Sequence, residues 1–482
     1  MPHKYYKDNR EFMKALEATG DLVTVEQEVD WDMEMGAIVR RVCEMKGPSP
    51  YFKKIKDYEG FEAFGAPLAT YRKLAVALGL PPDTPIPEIS QVYLDRTDKG
   101  TPHPAVELPR DRAPCKDVVI TGDDVNLFDL PAPMVHAGDG GRYLCTWHMI
   151  VAKDPDSPEI NWGMYRQMVF DEKTMVGPVL PFSDMGKWFH NKAVPRNQPM
   201  PFATVIGMDP LAGIAACAPA QIREDLFCGM LMDEGVEVVK CETNDLMVPA
   251  HAEIIIEGEI LPGVELEEAP FGEYTGYRTS PRSPRTVYRV KAITYRKKPV
   301  MPISCMGTPT DEGQLLRSFS LGLEMDKLLR SQGIPITGVY MWPESTHHLV
   351  VIGTRHAYSG IANQISQLIF GSKLGPWFHM AVVVDEETDI YDKDKVIHAM
   401  CTKCHPVDGI HIYKNSAGTP LNPFAPMHER MIGKGSKVVF DCLTPLDWKK
   451  SDIPIMVSFD KVYPEEIKTK VLENWKNYGF KD

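Results

Sequence analysis

The chain has 482 residues, of which 43% are hydrophobic and 25% are charged, so it is long enough for about three domains with buried cores. This composition excludes the disordered and collagen-like classes of protein. The 53 basic residues are outnumbered by 66 acidic ones, and the formal net charge of -13 disfavours a nucleic-acid partner because such a surface repels phosphates.

Membrane and export signals are missing from the sequence pattern. No apolar run approaches the roughly 18–20 residues that span a bilayer, and the polar N-terminal segment lacks the apolar stretch of a signal peptide. The ten cysteines are spread along the chain without a disulfide framework. We therefore expect a cytoplasmic protein with no membrane partner.

The first hundred residues predict helices and strands in alternation. Apolar side chains, including Phe12 and Leu16, recur at helical spacing after Asn9, the alternating run VTVEQEV predicts a strand, and MEMGAIVRRVCEM predicts a second helix. The proline-rich run from Pro102 to Pro114 indicates a linker. We expect an N-terminal α/β domain over residues 1–115.

The pattern changes at about residue 117 to short β runs interrupted by Gly and Pro, which are typical of a barrel or a sandwich. After about residue 310, helical patterns such as EGQLLRSFSLGLEMDKLL alternate with apolar strands such as MAVVVD, as in an α/β layer. The fold class is therefore α+β, with a central β-rich domain over residues 116–308 and a C-terminal α/β domain over 309–482. The terminal amphipathic helix could pack on a partner subunit.

Two carboxylates in the segment LEEAPFGEYTGY are the first candidates for chemistry. Glu268 and Glu273 are five residues apart across a Pro and a Gly, in a turn or bulge that can aim both side chains into one cavity. Neighbouring carboxylates drive their pKa values apart, so that one can hold a proton while the other is ionised. The alternative interpretation is a solvated acidic turn.

The segment INWGMYRQMV contributes Asn161 and Arg166. Residues five apart in a strand face opposite sides unless a bulge intervenes, and Gly163 could supply that bulge. An arginine beside two glutamates would keep one of them ionised, although Arg166 alone also fits a structural ion pair. Asn161, Asp184 and Glu224 are oxygen donors that suit a hard cation, but no local spacing singles them out.

Motifs for haem, zinc, hydrolase and nucleotide sites are either ambiguous in this sequence or absent from it. Cys401, Cys404 and His405 match the CxxCH pattern of haem attachment, but they follow a helical stretch and equally fit ordinary thiols at a helix end. A four-cysteine zinc site would need a second CxxC, which the sequence lacks. The GxSxG, GxxxxGK[ST] and GxGxxG patterns are also absent, so a hydrolase elbow, a phosphate loop and a Rossmann site are not predicted.

Four segments in order resemble the UbiD family of reversible decarboxylases, which use prenylated flavin mononucleotide (FMN): INWGMYRQMV, EVVKCETNDLMVPAHAEIIIEGEI, EAPFGEYTGY and VVVDEETDIYD. The resemblance extends from about Asp124 to Asp447. It implies a central split β-barrel domain that binds the flavin, flanked by an N-terminal α/β domain and a C-terminal α/β domain used for oligomerisation. It also implies a homo-oligomer (a dimer or hexamer) and a flavin prenyltransferase that supplies the cofactor.

The resemblance implies roles for residues that match the family's motifs. An Arg-Glu-Glu catalytic set maps onto Arg166, Glu268 and Glu273, with Glu273 as the proton donor to the carbon that lost CO2 and Glu268 tied to the arginine. A divalent metal would be bound by Asn161, Asp184 and Glu224 together with the flavin phosphate, with K+ nearby. The residues implied in cofactor binding are Asn161, Trp162, Met164, Arg166, Ser183, Asp184, Glu224 and His379.

Two of these positions depart from the family. Asp184 stands where the family has a histidine, and the resulting all-oxygen set favours Mn2+, with Mg2+ or Fe2+ as alternatives, over zinc. His379 stands where the family usually has a lysine that meets the flavin phosphate, and histidine carries less positive charge at pH 7.

The resemblance implies a non-oxidative decarboxylase, or the reverse carboxylase, that acts on an aromatic or α,β-unsaturated carboxylic acid and CO2, with the flavin as covalent electron sink. The alternatives are a catalytic or accessory subunit of a multi-protein aromatic carboxylase, and an ordinary FMN-binding oxidoreductase. Candidate partners for a substrate hydroxyl lie between Gly307 and His356, among them Thr310, His347 and His348.

Overall fold

The computed structural model describes residues 5–181, 183–220 and 222–481, and over these ranges the protein is a mixed α/β structure with four sheets. The helices are α1 (Asn9–Ala18), α2 (Glu34–Glu44), α3 (Tyr71–Ala77), α4 (Ile86–Lys99), α5 (Asp184–Trp188), α6 (Val194–Arg196), α7 (Pro210–Cys217), α8 (Glu224–Met232), α9 (Glu312–Ser331), α10 (Ile361–Gly371), α11 (Lys393–Thr402), α12 (Met427–Met431), α13 (Phe459–Val462) and α14 (Glu465–Glu473).

The strands are β1 (Leu22–Val29), β2 (Ser49–Ile55), β3 (Glu62–Gly65), β4 (Val106–Glu107), β5 (Val118–Thr121), β6 (Tyr143–Cys145), β7 (His148–Lys153), β8 (Ile160–Gly163), β9 (Gln167–Asp171), β10 (Thr174–Gly177), β11 (Met200–Ile206), β12 (Glu237–Lys240), β13 (Met247–Pro249), β14 (Ile254–Glu268), β15 (Ser283–Tyr295), β16 (Val300–Ile303), β17 (Ile336–Tyr340), β18 (Leu349–Thr354), β19 (Met380–Asp385), β20 (Ile410–Ala417) and β21 (Lys434–Asp441).

The N-terminal layer is a sheet of order β1-β2-β3-β16 covered by helices. Helix α1 begins where Asp8 accepts a hydrogen bond from the backbone N–H of Glu11 (2.8 Å), and its apolar stripe places Phe12 and Leu16 in the core, as the sequence predicts. Strand β16 joins parallel to β3 with Val300 opposite Glu62. The layer is therefore completed by a strand that follows the whole central sheet in the chain.

The central sheet has nine strands within the described ranges, in the order β6-β9-β10-β15-β14-β11-β7-β8, with β5 paired to β15. Its pairings are antiparallel, and β14 and β15 form a long hairpin with bulges. Ile254, Ile256 and Phe202 are completely buried on this sheet. Strand β8 ends at Gly163 and strand β14 ends at Glu268, and these two ends supply the candidate site.

The predicted linker from Pro102 to Pro114 is wrong in one respect, because part of it is docked in a sheet. Val106 N donates to Val236 O (2.8 Å) and Leu108 N donates to Val238 O (2.7 Å), so β4 pairs parallel with β12 in a sheet of order β13-β12-β4. Prolines bracket the strand without occupying it, so the backbone donors needed for the ladder remain available.

The C-terminal layer is a sheet of order β17-β18-β19-β21-β20 with α9 and α10 packed against it, which agrees with the predicted α/β pattern. Helix α9 packs Phe319 into the N-terminal core and Met325 into the C-terminal core, so one helix connects both. A search of the described residues finds no helix that is both long and apolar enough to cross a membrane.

Candidate active site

Arg166 connects two glutamates at the end of the central sheet. It is the last residue of the β8–β9 connection, and its guanidinium binds Glu268 through Nε to Oε1 (2.7 Å) and Nη2 to Oε2 (2.9 Å). A third hydrogen bond runs from Nη1 to Oε1 of Glu273. Glu268 is the last residue of β14 and Glu273 lies in the loop that follows. The sequence-predicted Arg-Glu-Glu residues therefore meet at one place.

Both carboxyl groups are buried, which contradicts the alternative of a solvated acidic turn. Glu268 is 2% exposed and Glu273 is 5% exposed. Burial raises the pKa of Glu273 above its ordinary value and the charges of Glu268 and Asp139 raise it further, against the opposing effect of Arg166. Burial alone would lower the pKa of Arg166, but Glu273 and Glu268 raise it. The guanidinium therefore stays charged beside Glu268, which it binds at two atoms, and Glu273, whose pKa is raised.

The predicted bulge at Gly163 is wrong, because the strand ends there instead. Residues 164–166 connect β8 to β9, so Asn161 and Arg166 lie on different elements and their directions are not set by strand alternation. A Cβ at Gly163 would lie 2.6 Å from the ring of Tyr165, so the glycine allows this side chain to fold back. The Tyr165 hydroxyl donates to Oδ1 of Asn161 (3.1 Å).

The oxygen donors predicted for a metal are only partly together. Asn161 Nδ2 donates to Oε1 of Glu224 (3.3 Å), and Trp162 N donates to Oε2 of the same carboxylate (3.0 Å). Burial raises the pKa of Glu224 to about 7, and the charge of Asp184 adds to this effect. The Asp184 side chain is itself 61% exposed and forms an ion pair with Lys187 (2.7 Å). Asn161 and Glu224 therefore touch, while Asp184 lies close by with a different partner.

The remaining predicted cofactor residues line the same region or a second cluster. Ser183 caps α5 by accepting a hydrogen bond from Gly186 N (3.1 Å), and Met164 Sδ lies 3.2 Å from Cys217 Sγ. The Trp162 ring is buried, and its Nε1 donor has no hydrogen-bond partner among the residues that the structure describes. A buried donor of this kind is satisfied by a bound ligand or by water.

His379 belongs to a cluster of aromatic rings on the C-terminal layer. Its ring lies 4.4 Å from His348 and 4.8 Å from Phe424, and burial lowers its pKa to about 3. His347 is completely buried and stacks at 4.6 Å on Tyr274, which directly follows Glu273 in the chain. Neither ring nitrogen of His347 has a hydrogen-bond partner within the described ranges. This cluster faces the Glu273 loop from the opposite layer.

Sequence reasoning missed two residues that support the Glu273 loop. Oδ1 of Asp139 accepts a hydrogen bond from Gly272 N (3.0 Å), and Oδ2 contacts Nδ1 of His136 (2.8 Å). They lie in the segment VHAGDGGRY, whose glycines and lone charges are typical of a surface turn. The closeness of this segment to a loop more than 100 residues later carries no local sequence signal.

Three family models match consecutive parts of this chain. They describe the N-terminal, Rift-related and C-terminal domains of UbiD, 3-octaprenyl-4-hydroxybenzoate carboxy-lyase, and match residues 13–93, 106–309 and 314–442. Ferulic acid decarboxylase 1 of Saccharomyces cerevisiae is 32% identical over 494 residues, covering 98% of this chain and 98% of the relative.

Two solved structures are similar over almost the whole chain. The closed form of the vanillic acid decarboxylase of Sedimentibacter hydroxybenzoicus has a TM-score of 0.87 at 29% identity, covering 98% of this chain and 100% of that one. An evolved dimeric form of the UbiD-class enzyme HmfF from Pelotomaculum thermopropionicum, in complex with prenylated FMN, has a TM-score of 0.79 at 29% identity, covering 93% and 97%. These similarities confirm the UbiD resemblance and do not favour the accessory-subunit or ordinary-oxidoreductase alternatives.

Proposed function

The chain belongs to the UbiD family of carboxy-lyases, and we propose that it is a non-oxidative, reversible decarboxylase of an aromatic or α,β-unsaturated carboxylic acid that uses prenylated FMN. The observation that carries this proposal is the buried contact of Arg166 with Glu268 and Glu273. The decarboxylases of ferulic and vanillic acid among the relatives, and the prenylated FMN in the HmfF complex, support the substrate class and the cofactor.

The hydrogen bonds of Arg166, Glu268 and Glu273 indicate a different role for each side chain. Arg166 holds Glu268 at two atoms and Glu273 at one, so Glu268 is the fixed carboxylate and Glu273 is the group free to exchange a proton. Glu273 delivers that proton to the carbon that loses CO2, and takes it back in the carboxylation direction. Prenylated FMN, when bound, supplies the electron sink for cleavage of the carbon–carbon bond.

The residues present fit both groups that the family implies. The carboxylate of Glu224 and the amide oxygen of Asn161 are hard donors that suit Mn2+, with Mg2+ or Fe2+ as alternatives, and a flavin phosphate would add further oxygens. No cluster of three His, Cys, Asp or Glu side chains suitable for a metal occurs in the described part of the chain, so the amide and the phosphate are essential to this set. Asp184 would become a metal ligand only if its ion pair with Lys187 were broken.

The other implied contacts remain part of the proposal. Trp162 and Met164 follow Asn161 in the chain, and Ser183 caps α5. All three would contact the flavin, and the unpartnered Trp162 donor supports a ligand there. His379 replaces the usual lysine as a neutral hydrogen-bonding group. K+ near the phosphate, and a flavin prenyltransferase as cofactor supplier, are proposed from the resemblance to the family.

We propose the domain boundaries 1–115, 116–308 and 309–482, with the nine-stranded sheet as the split-barrel flavin domain. The matched ranges 106–309 and 314–442 support the central domain and the start of the C-terminal domain to within ten residues, whereas the N-terminal match, 13–93, ends 22 residues before residue 115. The docking of β4 against β12 supports an earlier start for the central domain than residue 116.

A homo-oligomer is proposed from the C-terminal segment. Residues 444–481 contain no buried side chain, yet many of their large apolar groups are exposed: Leu446, Trp448, Ile453, Ile455, Val457, Phe459, Val462, Tyr463, Ile467, Leu472, Trp475, Tyr478 and Phe480. A segment with so many exposed apolar side chains favours a protein partner, and a second copy is the occupant that the dimeric relative supports. Light scattering tests this proposal, and a monomer at micromolar concentration would contradict it.

Native mass spectrometry tests the cofactor and the reaction class together. The protein is produced with a flavin prenyltransferase under anaerobic conditions and then supplied with aromatic and unsaturated acids. We expect a bound mass of prenylated FMN plus one divalent ion, and release of CO2 from at least one acid. Plain FMN, or no flavin, on a folded sample would refute the cofactor assignment.

A further inference from the structure

The loop that contains Asp139 and Gly140 contacts the segment of residues 269–272, which precedes Glu273 in the chain. Gly140 N donates to Pro270 O (2.9 Å), and Gly272 N donates to Oδ1 of Asp139 (3.0 Å). A Cβ at Gly140 would lie 1.6 Å from the Cβ of Ala269, so the close approach requires glycine. Asp139 is therefore held beside the peptide that immediately precedes Glu273, and it is 5% exposed.

The contacts of His136 reveal its charge. Nδ1 lies 2.8 Å from Oδ2 of Asp139, and Nε2 lies 2.8 Å from the carbonyl oxygen of Met306. A carboxylate at Asp139 and the Met306 carbonyl oxygen only accept hydrogen bonds, whereas a neutral imidazole has a single N–H to donate. Both contacts are satisfied only when His136 is an imidazolium. Burial alone would lower the pKa of His136, but its hydrogen bonds to Asp139 and Cys305 raise it to about 10.

We propose that the ion pair of His136 and Asp139 is a positioning device for Glu273, in which Asp139 anchors the Gly272 peptide and presents a carboxylate charge to the Glu273 carboxyl group. His136 binds Asp139 and ties it through Met306 to the segment that follows β16. Neither residue touches the reacting atoms, so both act through Glu273. The inference rests on the proposed role of Glu273 as proton donor.

The charges around Glu273 show why Asp139 matters. Arg166 favours the ionised form of Glu273, whereas Glu268 and Asp139 favour the protonated form. The groups farther out are Tyr143 and Arg285, which contact Glu268, and Arg317 on α9, which acts on Tyr274. Glu268 binds two atoms of the Arg166 guanidinium and Asp139 binds Nδ1 of His136, so each carboxylate has its own cationic partner. Asp139 is the carboxylate in this set that Arg166 does not bind.

The variant Asp139→Asn tests the charge while keeping an oxygen that can accept from Gly272 N. Glu273 is titrated by infrared spectroscopy through its protonated carboxyl stretch, identified as the band missing in Glu273→Gln. We expect the titration to shift to lower pH in Asp139→Asn and to stay near that of the natural protein in Asp139→Glu, which restores the charge. In the flavin-loaded enzyme, the alkaline limb of the pH–rate profile should move in the same direction.

A matched control removes a different buried carboxylate. Asp209 caps α7 by accepting from Ala212 N (2.9 Å), a role that asparagine also fills, so Asp209→Asn should leave the Glu273 titration unchanged. The natural protein offers a second measurement that needs no variant. The nitrogen-15 spectrum of His136 should show both ring nitrogens protonated at pH 7, and a neutral ring would overturn the proposal.

The outcomes separate this inference from the proposed function. An Asp139→Asn titration that is unchanged, or shifted to higher pH, overturns the inference, even if turnover is lost. A shift to lower pH in a protein that decarboxylates none of the acids tested would refute the proposed function but establish the coupling of Asp139 to Glu273, since the infrared titration requires neither flavin nor substrate.

Discussion

Replacing Glu273 by glutamine removes the acidic proton and keeps nearly the same side-chain shape. The amide of the Glu273→Gln variant would keep an oxygen facing Nη1 of Arg166 but would have no acidic proton. Asn161 and Glu224 lie on β8 and α8 rather than on the Glu273 loop, so we expect the variant to retain flavin and metal. General acid catalysis contributes about 10²–10⁴-fold to a rate, or about 3–5 kcal/mol of barrier. CO2 release should fall by that factor.

Stability provides a second readout with a definite sign. Because the pKa of Glu273 is raised above its ordinary value, chiefly by burial, the folded protein holds this proton more tightly than the unfolded chain does. The stability that this proton contributes is present at low pH and is lost as the pH rises through the raised pKa. Glutamine does not ionise, so the melting temperature of Glu273→Gln relative to the natural protein should be higher at pH 9 than at pH 5.

The assay follows CO2 release, and deuterium incorporation at the former carboxyl carbon, in anaerobic protein loaded with prenylated FMN. Glu267→Gln is the matched control, because Glu267 lies on β14 beside Glu268 but is exposed. It should turn over normally. Natural rates in Glu273→Gln, with the flavin confirmed by mass, would refute the proton-donor role.

Three other substitutions test the remaining parts of the site. Arg166→Gln leaves two buried carboxylates without their cation, which costs about 3–5 kcal/mol of folding stability. The melting temperature of the variant should fall more at pH 8 than at pH 5. An equal fall at both pH values would show that charge is not the cause. Asp184→His should change the preference among Mn2+, Mg2+ and Fe2+ measured by metal content, whereas unchanged content and affinity would show that Asp184 is not a ligand. His347 has two buried nitrogens without partners among the described residues, so His347→Leu should raise KM for hydroxylated aromatic acids more than for their unsubstituted counterparts, and an equal change would exclude a contact with the hydroxyl.

Several features were predictable because they depend on neighbours in the chain. The apolar spacing after Asn9 predicts α1, and the run MAVVVD predicts β19, since a helix or strand buries one face or one apolar run whatever its partner is. The end of β14 at Glu268 agrees with the Pro and Gly that follow it, although the turn lies at residues 274–275 and not between the two glutamates. The order of the four motifs was enough to indicate the family.

Other features depend on segments that are far apart in the chain, and no local pattern encodes them. The strand at 300–303 completes the N-terminal sheet, and the strand at 106–107 docks on β12 instead of serving as a linker. The end of β8 at Gly163, rather than a bulge, sets the position of Arg166.

Local patterns in the amino-acid sequence indicated much of the order of helices and strands, and the resemblance carried by four motifs indicated the family and pointed to Arg166, Glu268 and Glu273. Tertiary packing was needed to show that Glu268 and Glu273 are buried around one guanidinium and that the His136–Asp139 pair supports the Glu273 loop. The physical reason is that burial and charge pairing depend on which distant segments exclude water from a group, and these set the proton affinity of Glu273.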